Sequence, residues 1–106
     1  MGSETVLLIT KGKGFQMKFE NGNTVSVQFG GGNYCENRDK PFGSGSDALS
    51  DALSKDAEVA AWDADGKWYN FGYDTVRGWL TADEVANFVS FVSKANLAED
   101  KWEVER

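Results

Sequence analysis

The segment at residues 14–29 constrains the fold more than any other part of the chain, because it predicts a β-hairpin with one workable register. Apolar side chains occupy every second position on both sides of an Asn-Gly pair, at Phe15, Met17 and Phe19 and again at Val25, Val27 and Phe29. Alternation of this kind gives each strand one apolar face. The two faces must therefore lie on the same side of the ribbon.

The length of the connecting loop decides whether they do. A two-residue Asn-Gly turn is the common choice, but here it would place Lys18 opposite Val25 and direct the two apolar faces to opposite sides. A three-residue loop at 20–22, with Gly22 in the left-handed conformation, instead pairs Met17 with Val25. We therefore expect the three-residue loop.

A second hairpin is predicted from residues 58–62 and 67–71, across a loop at 64–66. The same argument about loop length places Trp62 opposite Trp68. Such a cross-strand aromatic pair stabilises the ribbon by about 0.5–1.5 kcal/mol whether or not it binds a partner.

The clearest helix signal begins at Thr81. Thr81 and Glu84 have the spacing of a capping box, in which each side chain bonds the backbone of the other residue. Apolar residues then recur at helical spacing, at Val85, Phe88, Val89 and Val92. The pattern predicts an amphipathic helix over 81–95, with Asn96 as a suitable C-cap.

Weaker patterns cover the remaining segments. Val6–Thr10 is short, apolar and β-branched, which favours a buried or central strand, and 75–77 resembles a short edge strand with Gly78 turning the chain toward the helix. The tandem Ser-Asp-Ala-Leu repeat within 43–55 indicates a flexible or short-helical connector. The tail at 97–106 alternates like an edge strand, or it is a frayed end.

Together these elements predict an α+β fold. With 106 residues and 41% hydrophobic composition, residues 1–106 form a single domain with one modest core. We expect a small antiparallel sheet of two hairpins plus edge strands, packed by one C-terminal amphipathic helix. No apolar run approaches the roughly 20 residues that cross a bilayer, so no membrane association is expected.

The composition argues against catalysis. The chain has no His and one Cys, Cys35, so the usual Ser-His-Asp and Cys-His nucleophiles and a zinc site are not expected. One Cys cannot form an internal disulfide and suits a reducing cytoplasm. We interpret Cys35 as an ordinary buried thiol, and we expect neither enzymatic activity, nor a metal, nor a cofactor.

The glycine-rich loop after the first hairpin allows two interpretations. In the first, it binds a nucleotide-like anion through its backbone amides, a stacking tyrosine and an arginine clamp; the residues are Gly30, Gly31, Gly32, Asn33, Tyr34 and Arg38. In the second, the glycines only turn the chain, Tyr34 packs, and Arg38 pairs with Glu36 or Asp39. The Walker spacing of a phosphate-binding loop is missing.

Several of these motifs resemble a family of small proteins encoded by tailed bacteriophages. The resemblance is carried by residues 15–19, 32–38, 57–63 and 78–85, and it covers about 14–95 apart from 43–55. Members of that family have Pro at the position of Gly31, which implies a looser loop here. The family has no assigned activity, so the resemblance implies no catalytic residue. It implies a protein made in the cytoplasm of an infected bacterial host.

Charge suggests the kind of partner. The net charge is −6, and residues 46–106 carry thirteen acidic against six basic side chains. Direct nucleic-acid binding is therefore not expected. The acidic half serves solubility, or it meets a host protein with a basic surface. For that surface we predict Asp74 and Asp83 as charged contacts, and Trp62, Trp68 and Phe91 as apolar anchors.

The favoured function is therefore a non-catalytic, phage-type binding protein that inhibits a host factor, as an anti-defence or host-takeover inhibitor. The first alternative is a binder or sponge of a nucleotide-like anion that uses the glycine-rich loop and Arg38. The second is a minor virion or assembly component, which would form a fixed oligomer.

Overall fold

The computed structural model describes residues 5–10, 13–38 and 53–103, which form a five-stranded antiparallel sheet with one helix on a face. The strands lie side by side in chain order, as β1 (Val6–Thr10), β2 (Gly14–Lys18), β3 (Thr24–Gln28), β4 (Asp56–Trp62) and β5 (Arg77–Thr81). Helix α1 spans Ala82–Lys94. The α+β class is confirmed. Residues 43–52 of the predicted connector lie outside the described residues.

The first hairpin has the predicted register. Met17 pairs with Val25 and Phe15 with Val27. The loop has three residues, since the Phe19 N–H donates to the Asn23 carbonyl at 2.8 Å, and Gly22 has a φ of 92°. A left-handed φ favours glycine because a Cβ would meet the neighbouring carbonyl.

The core lies between α1 and the central strands. Helix α1 packs over β3, β4 and β5, and its Phe88 and Val92 side chains are fully buried. The Phe88 ring lies 4.8 Å from that of Trp102 and 5.4 Å from that of Phe71, measured between centroids. Burial of a phenylalanine contributes about 1.5–3 kcal/mol, so this ring is a main contact between helix and sheet.

The helix begins as predicted. The Glu84 N–H donates to the Thr81 hydroxyl and the Thr81 N–H to the Glu84 carboxylate, which completes the capping box. The prediction of a strand at 75–77 and a turn at Gly78 is wrong, however. Gly78 lies inside β5, and the helix starts directly where that strand ends.

The other end of the helix is held by the first hairpin. The Asn23 side-chain amide donates to the carbonyls of Val92, at 3.0 Å, and Ala95, at 2.8 Å, and Asn21 also donates to Val92. Terminal helix carbonyls have no partner within the helix, so Asn23 acts as a tertiary cap. The C-cap is Ala95, not Asn96 as predicted.

The segment after the helix is tied to the core. Leu97 is buried, and no strand occurs within 97–103. The Trp102 backbone N–H donates to the Tyr69 hydroxyl at 2.8 Å, and its indole N–H donates to the Asn87 side chain at 2.7 Å. Both sequence interpretations of the tail, an edge strand or a frayed end, are therefore wrong for 97–103.

Strand β1 also departs from expectation. The sequence predicts a buried or central strand, but β1 is one of the two edge strands of the described sheet, and its Leu7 and Ile9 side chains are 77% and 85% exposed. The cause is the position of α1, which covers β3 to β5 and leaves β1 beyond its reach. Sequence alternation cannot show how far a helix extends across a sheet.

The second hairpin is confirmed only at its turn. Gly66 has a φ of 82°, and Trp62 and Trp68 form an isolated bridge. Residues 69–71 form no strand, because β5 pairs with the first half of β4 along the same edge. One edge of β4 is thus divided between Trp68 and β5.

We expect Phe88→Ala to lower the free energy of unfolding by about 3–5 kcal/mol, because it leaves a cavity among the aromatic rings. Ser90→Ala, on the exposed side of the same helix, is the control and should change it by less than about 0.5 kcal/mol. Chemical denaturation measures both. Equal effects of the two substitutions would contradict the packing described for α1.

Candidate functional site

The glycine-rich loop at 30–38 folds back along the free edge of β5. The Trp79 N–H donates to the Tyr34 carbonyl at 2.9 Å. Gly78 lies against the same residue, and a Cβ at Gly78 would stand 2.3 Å from the Tyr34 Cβ. Position 78 is therefore a glycine so that the loop can approach the strand. This approach brings Tyr34 beside Trp79.

Two acidic side chains of β4 hold the loop from below. The Tyr34 N–H donates to the Glu58 carboxylate at 3.0 Å, and the Glu36 N–H donates to the Asp56 carboxylate at 2.6 Å. The Glu36 side chain in turn accepts from the Lys55 N–H at 2.8 Å. The loop amides at Tyr34 and Glu36 thus donate to carboxylates of this chain.

The interior of the loop is closed by short polar contacts. The Gly30 N–H donates to the Asn33 side chain, and Asn37 donates to the carbonyls of Phe29 and Leu53. The Cys35 thiol is fully buried and lies 3.6 Å from the Gly30 carbonyl oxygen. This placement agrees with the interpretation of Cys35 as a structural thiol.

The Arg38 side chain lies against the Tyr34 ring. Its guanidinium lies 5.2 Å from the centroid of the Tyr34 ring, a cation–π distance. Tyr34 and Arg38 are both exposed. Of the two ion-pair partners considered for Arg38, Asp39 lies outside the described residues.

A groove of about 460 Å³ opens beside this pair. Three large aromatic side chains line it, and they are 42%, 51% and 71% exposed at Tyr34, Trp79 and Tyr73 respectively. Asp74 and Arg77 supply charge in the same groove. Single exposed aromatics are common on soluble proteins, whereas several gathered in one groove indicate an interaction site.

Trp79 has a strained backbone. Its φ of 61° is the one positive value at a non-glycine residue among the described residues. The strand has a register shift at this point, between the pairs made by Ala57 and Val59. A bulky residue in this region costs about 1–3 kcal/mol, and such strain is concentrated at functional sites.

The other predicted contact residues are only partly brought together. Asp74 lines the groove, and Asp83 is exposed in the first turn of α1. Trp62 stacks on Trp68 with their ring centroids 4.9 Å apart, and Trp68 is 47% exposed. Phe91 was predicted as an apolar anchor, but its side chain is partly buried against the core.

The Phe91 ring is half-buried among the core aromatics, 5.7 Å from that of Tyr69 and 6.1 Å from that of Phe88. Its place at the edge of the helical apolar stripe left its exposure open. Tyr73 and Trp79 were not predicted as contact residues. One sequence signal could have indicated Trp79. It directly follows a glycine and is followed by Leu80, so the alternation of apolar and polar residues fails at this point.

Comparison with known proteins adds no identification. No protein-family model, no curated protein and no solved structure matches the chain. Within the described residues, no helix has the length and apolarity to cross a bilayer. Those residues also contain no cluster of three or more potential metal-ligating side chains of His, Cys, Asp or Glu.

We expect Asp56→Ala to release the loop, because it removes the acceptor of the Glu36 N–H. The free energy of unfolding should fall by about 0.5–1.5 kcal/mol, and hydrogen exchange at the Glu36 amide should accelerate. Asp56→Asn retains an acceptor and should lie between. Glu99→Ala, at an exposed site after the helix, is the control; protection of the Glu36 amide that survives Asp56→Ala would contradict the tether.

We expect the strain at position 79 to reverse the usual ranking of alanine and glycine. A left-handed residue costs about 1–2 kcal/mol more for alanine than for glycine, so Trp79→Gly should be at least as stable as Trp79→Ala. At the exposed strand residue Lys18, alanine should be more stable by about 0.5–1 kcal/mol. Urea denaturation of the four variants tests this, and the same ranking at both positions would refute it.

Proposed function

We propose that this chain is a non-catalytic, phage-type binding protein that inhibits a host factor and holds that protein at the aromatic groove. The observation that carries the proposal is the meeting of Tyr34, Tyr73 and Trp79 with Asp74 in one exposed groove. Tyrosine and tryptophan are enriched among the residues that dominate binding energy at protein interfaces.

The groove is also partly rigid before binding. Tyr34 is fixed by Gly78, by the Glu58 carboxylate and by the stacked Arg38. Trp79 is fixed by the hydrogen bond from its N–H to the loop. These contacts order the backbone at both residues, and a segment that is already ordered loses less entropy on association, which raises affinity.

Charge favours a basic partner. The net charge of −6 attracts a positive surface over distances of about 8–10 Å at physiological salt. Asp74 lies in the groove, and Asp83 lies four residues beyond Trp79, at the start of the helix. The resemblance to phage proteins supports a partner in the host cytoplasm.

The anion-binding alternative retains one supporting observation, the exposed Tyr34–Arg38 pair. A nucleobase could stack on an aromatic ring of the groove while Arg38 contacts a phosphate. The amides of Tyr34 and Glu36, however, already donate to Glu58 and Asp56. The loop can therefore bind an anion through those amides only if it first releases its own carboxylates.

Affinity capture from a bacterial host lysate, quantified by mass spectrometry, tests the proposal. Tyr73→Ala and Asp74→Lys should each deplete the same captured protein relative to wild type. Glu99→Lys makes the same charge change outside the groove and should retain it. A protein captured equally by all four baits would contradict the groove as its site.

Kinetics with the captured protein separates the two contributions. Asp74→Lys should slow association several-fold and weaken its dependence on salt. Tyr73→Ala should accelerate dissociation about 30-fold, as expected for an anchor worth about 2 kcal/mol. A thermal-shift panel of nucleotides covers the alternative: stabilisation that disappears in Arg38→Ala would favour anion binding.

A further inference from the structure

The helix-bearing face of the sheet ends in an uncovered apolar strip. Val27, Phe15 and Ile9 are neighbours across β3, β2 and β1. The Val27 side chain is 3% exposed, the Phe15 side chain is half-buried, and the Ile9 side chain is 85% exposed. Leu7 and Ile9 stand beside Met17 and Phe15 on this face, since those residues pair in the β1–β2 ladder. An apolar groove of about 470 Å³ continues the strip between β2 and the helix.

Among the described residues, no strand pairs with the outer side of β1. The Phe19 N–H donates to the Asn23 carbonyl, so the backbone N–H and C=O groups of odd-numbered residues in β2 point toward β3. Those of even-numbered residues point toward β1, and the backbone of Gln16 therefore bonds the backbone of Leu8, its partner in the ladder. It follows that the N–H and C=O groups of Leu7 and Ile9 point away from the sheet.

Nothing in β1 opposes pairing with another strand. Natural sheets protect their edges with charged side chains, prolines or bulges. Val6–Thr10 contains only Val, Leu, Ile and Thr, and its pairing with β2 is regular along all five residues. An apolar edge without these devices is a site for strand addition.

We propose that β1 pairs antiparallel with β1 of a second copy of this chain, across a two-fold axis at Leu8. In this register the outward groups of Leu7 bond those of Ile9 in the second copy, and the two Leu8 residues face each other. The strand is complementary to itself, as a two-fold interface requires. Two five-stranded sheets then become one continuous sheet with both helices on the same face.

The size of the contact predicts its strength. A five-residue strand is about 17 Å long, and its contact is smaller than the roughly 800 Å² per partner of a standard interface. Each copy also carries a net charge of −6. We therefore expect a micromolar dimer that tightens as salt screens the repulsion, whereas salt weakens binding of a basic partner at the groove.

Cysteine cross-linking tests the register. The two Leu8 residues form a non-hydrogen-bonded pair, with Cα atoms about 4.5 Å apart, which lies within the range for a disulfide. Leu8→Cys should therefore form a covalent dimer under mild oxidation, and Leu7→Cys, which faces Ile9, should do so at least tenfold more slowly. Buried Cys35 makes the wild type the blank. Equal rates at positions 7 and 8, or no cross-link, would overturn the proposed register.

Sedimentation across a concentration series tests the edge itself. Wild type and Ile9→Val should approach a mass of twice 11.6 kDa. Ile9→Pro removes an outward N–H that bonds no group in the described part of the chain, so it should remain monomeric with unchanged circular dichroism. Wild type that stays monomeric throughout, or a dimer that survives Ile9→Pro, would overturn edge pairing. Neither result depends on the groove at β5.

Discussion

The odd number of residues between β2 and β3 is the constraint on which this structure depends. Three loop residues place Met17 opposite Val25 on one face of the sheet, and α1 packs on that face. Asn23, which closes the loop, also holds the last carbonyls of the helix. One short turn therefore sets the register of the sheet and fixes where the helix ends.

The candidate groove depends on a second constraint, the position of β5 at the edge of the sheet. Because β5 is the last strand, its outer side accepts the loop at 30–38 through the Trp79 N–H. Asp56 and Glu58 accept hydrogen bonds from the N–H groups of the loop, and Gly78 has no Cβ that would clash with Tyr34. The result is a rigid support for Tyr34. Its amide–carboxylate hydrogen bonds resemble those of an anion-binding site, but the carboxylates belong to this chain.

Local features of this fold could be predicted from sequence, and long-range ones could not. Alternation and turn chemistry determined the Met17–Val25 register, and the Thr81–Glu84 capping box determined where the helix begins. The exposure of Ile9 and the burial of Phe91 depend on how far α1 extends across the sheet, which no local pattern contains. The groove escaped prediction for the same reason, since Tyr34 and Trp79 meet only through tertiary hydrogen bonding.

The clamp between Asn23 and the helix has a consequence for synthesis on the ribosome. Its hydrogen bonds join residues 69 and 72 positions apart. The hairpin can form once it emerges, but its apolar face stays uncovered until the helix has been synthesised. At translation speeds of about 5–20 residues per second this interval lasts roughly 4–14 s. During that interval Phe15, Met17 and the edge of β1 are open to chaperones and to neighbouring nascent chains. Folding of this domain is therefore completed only after residue 95 has left the exit tunnel.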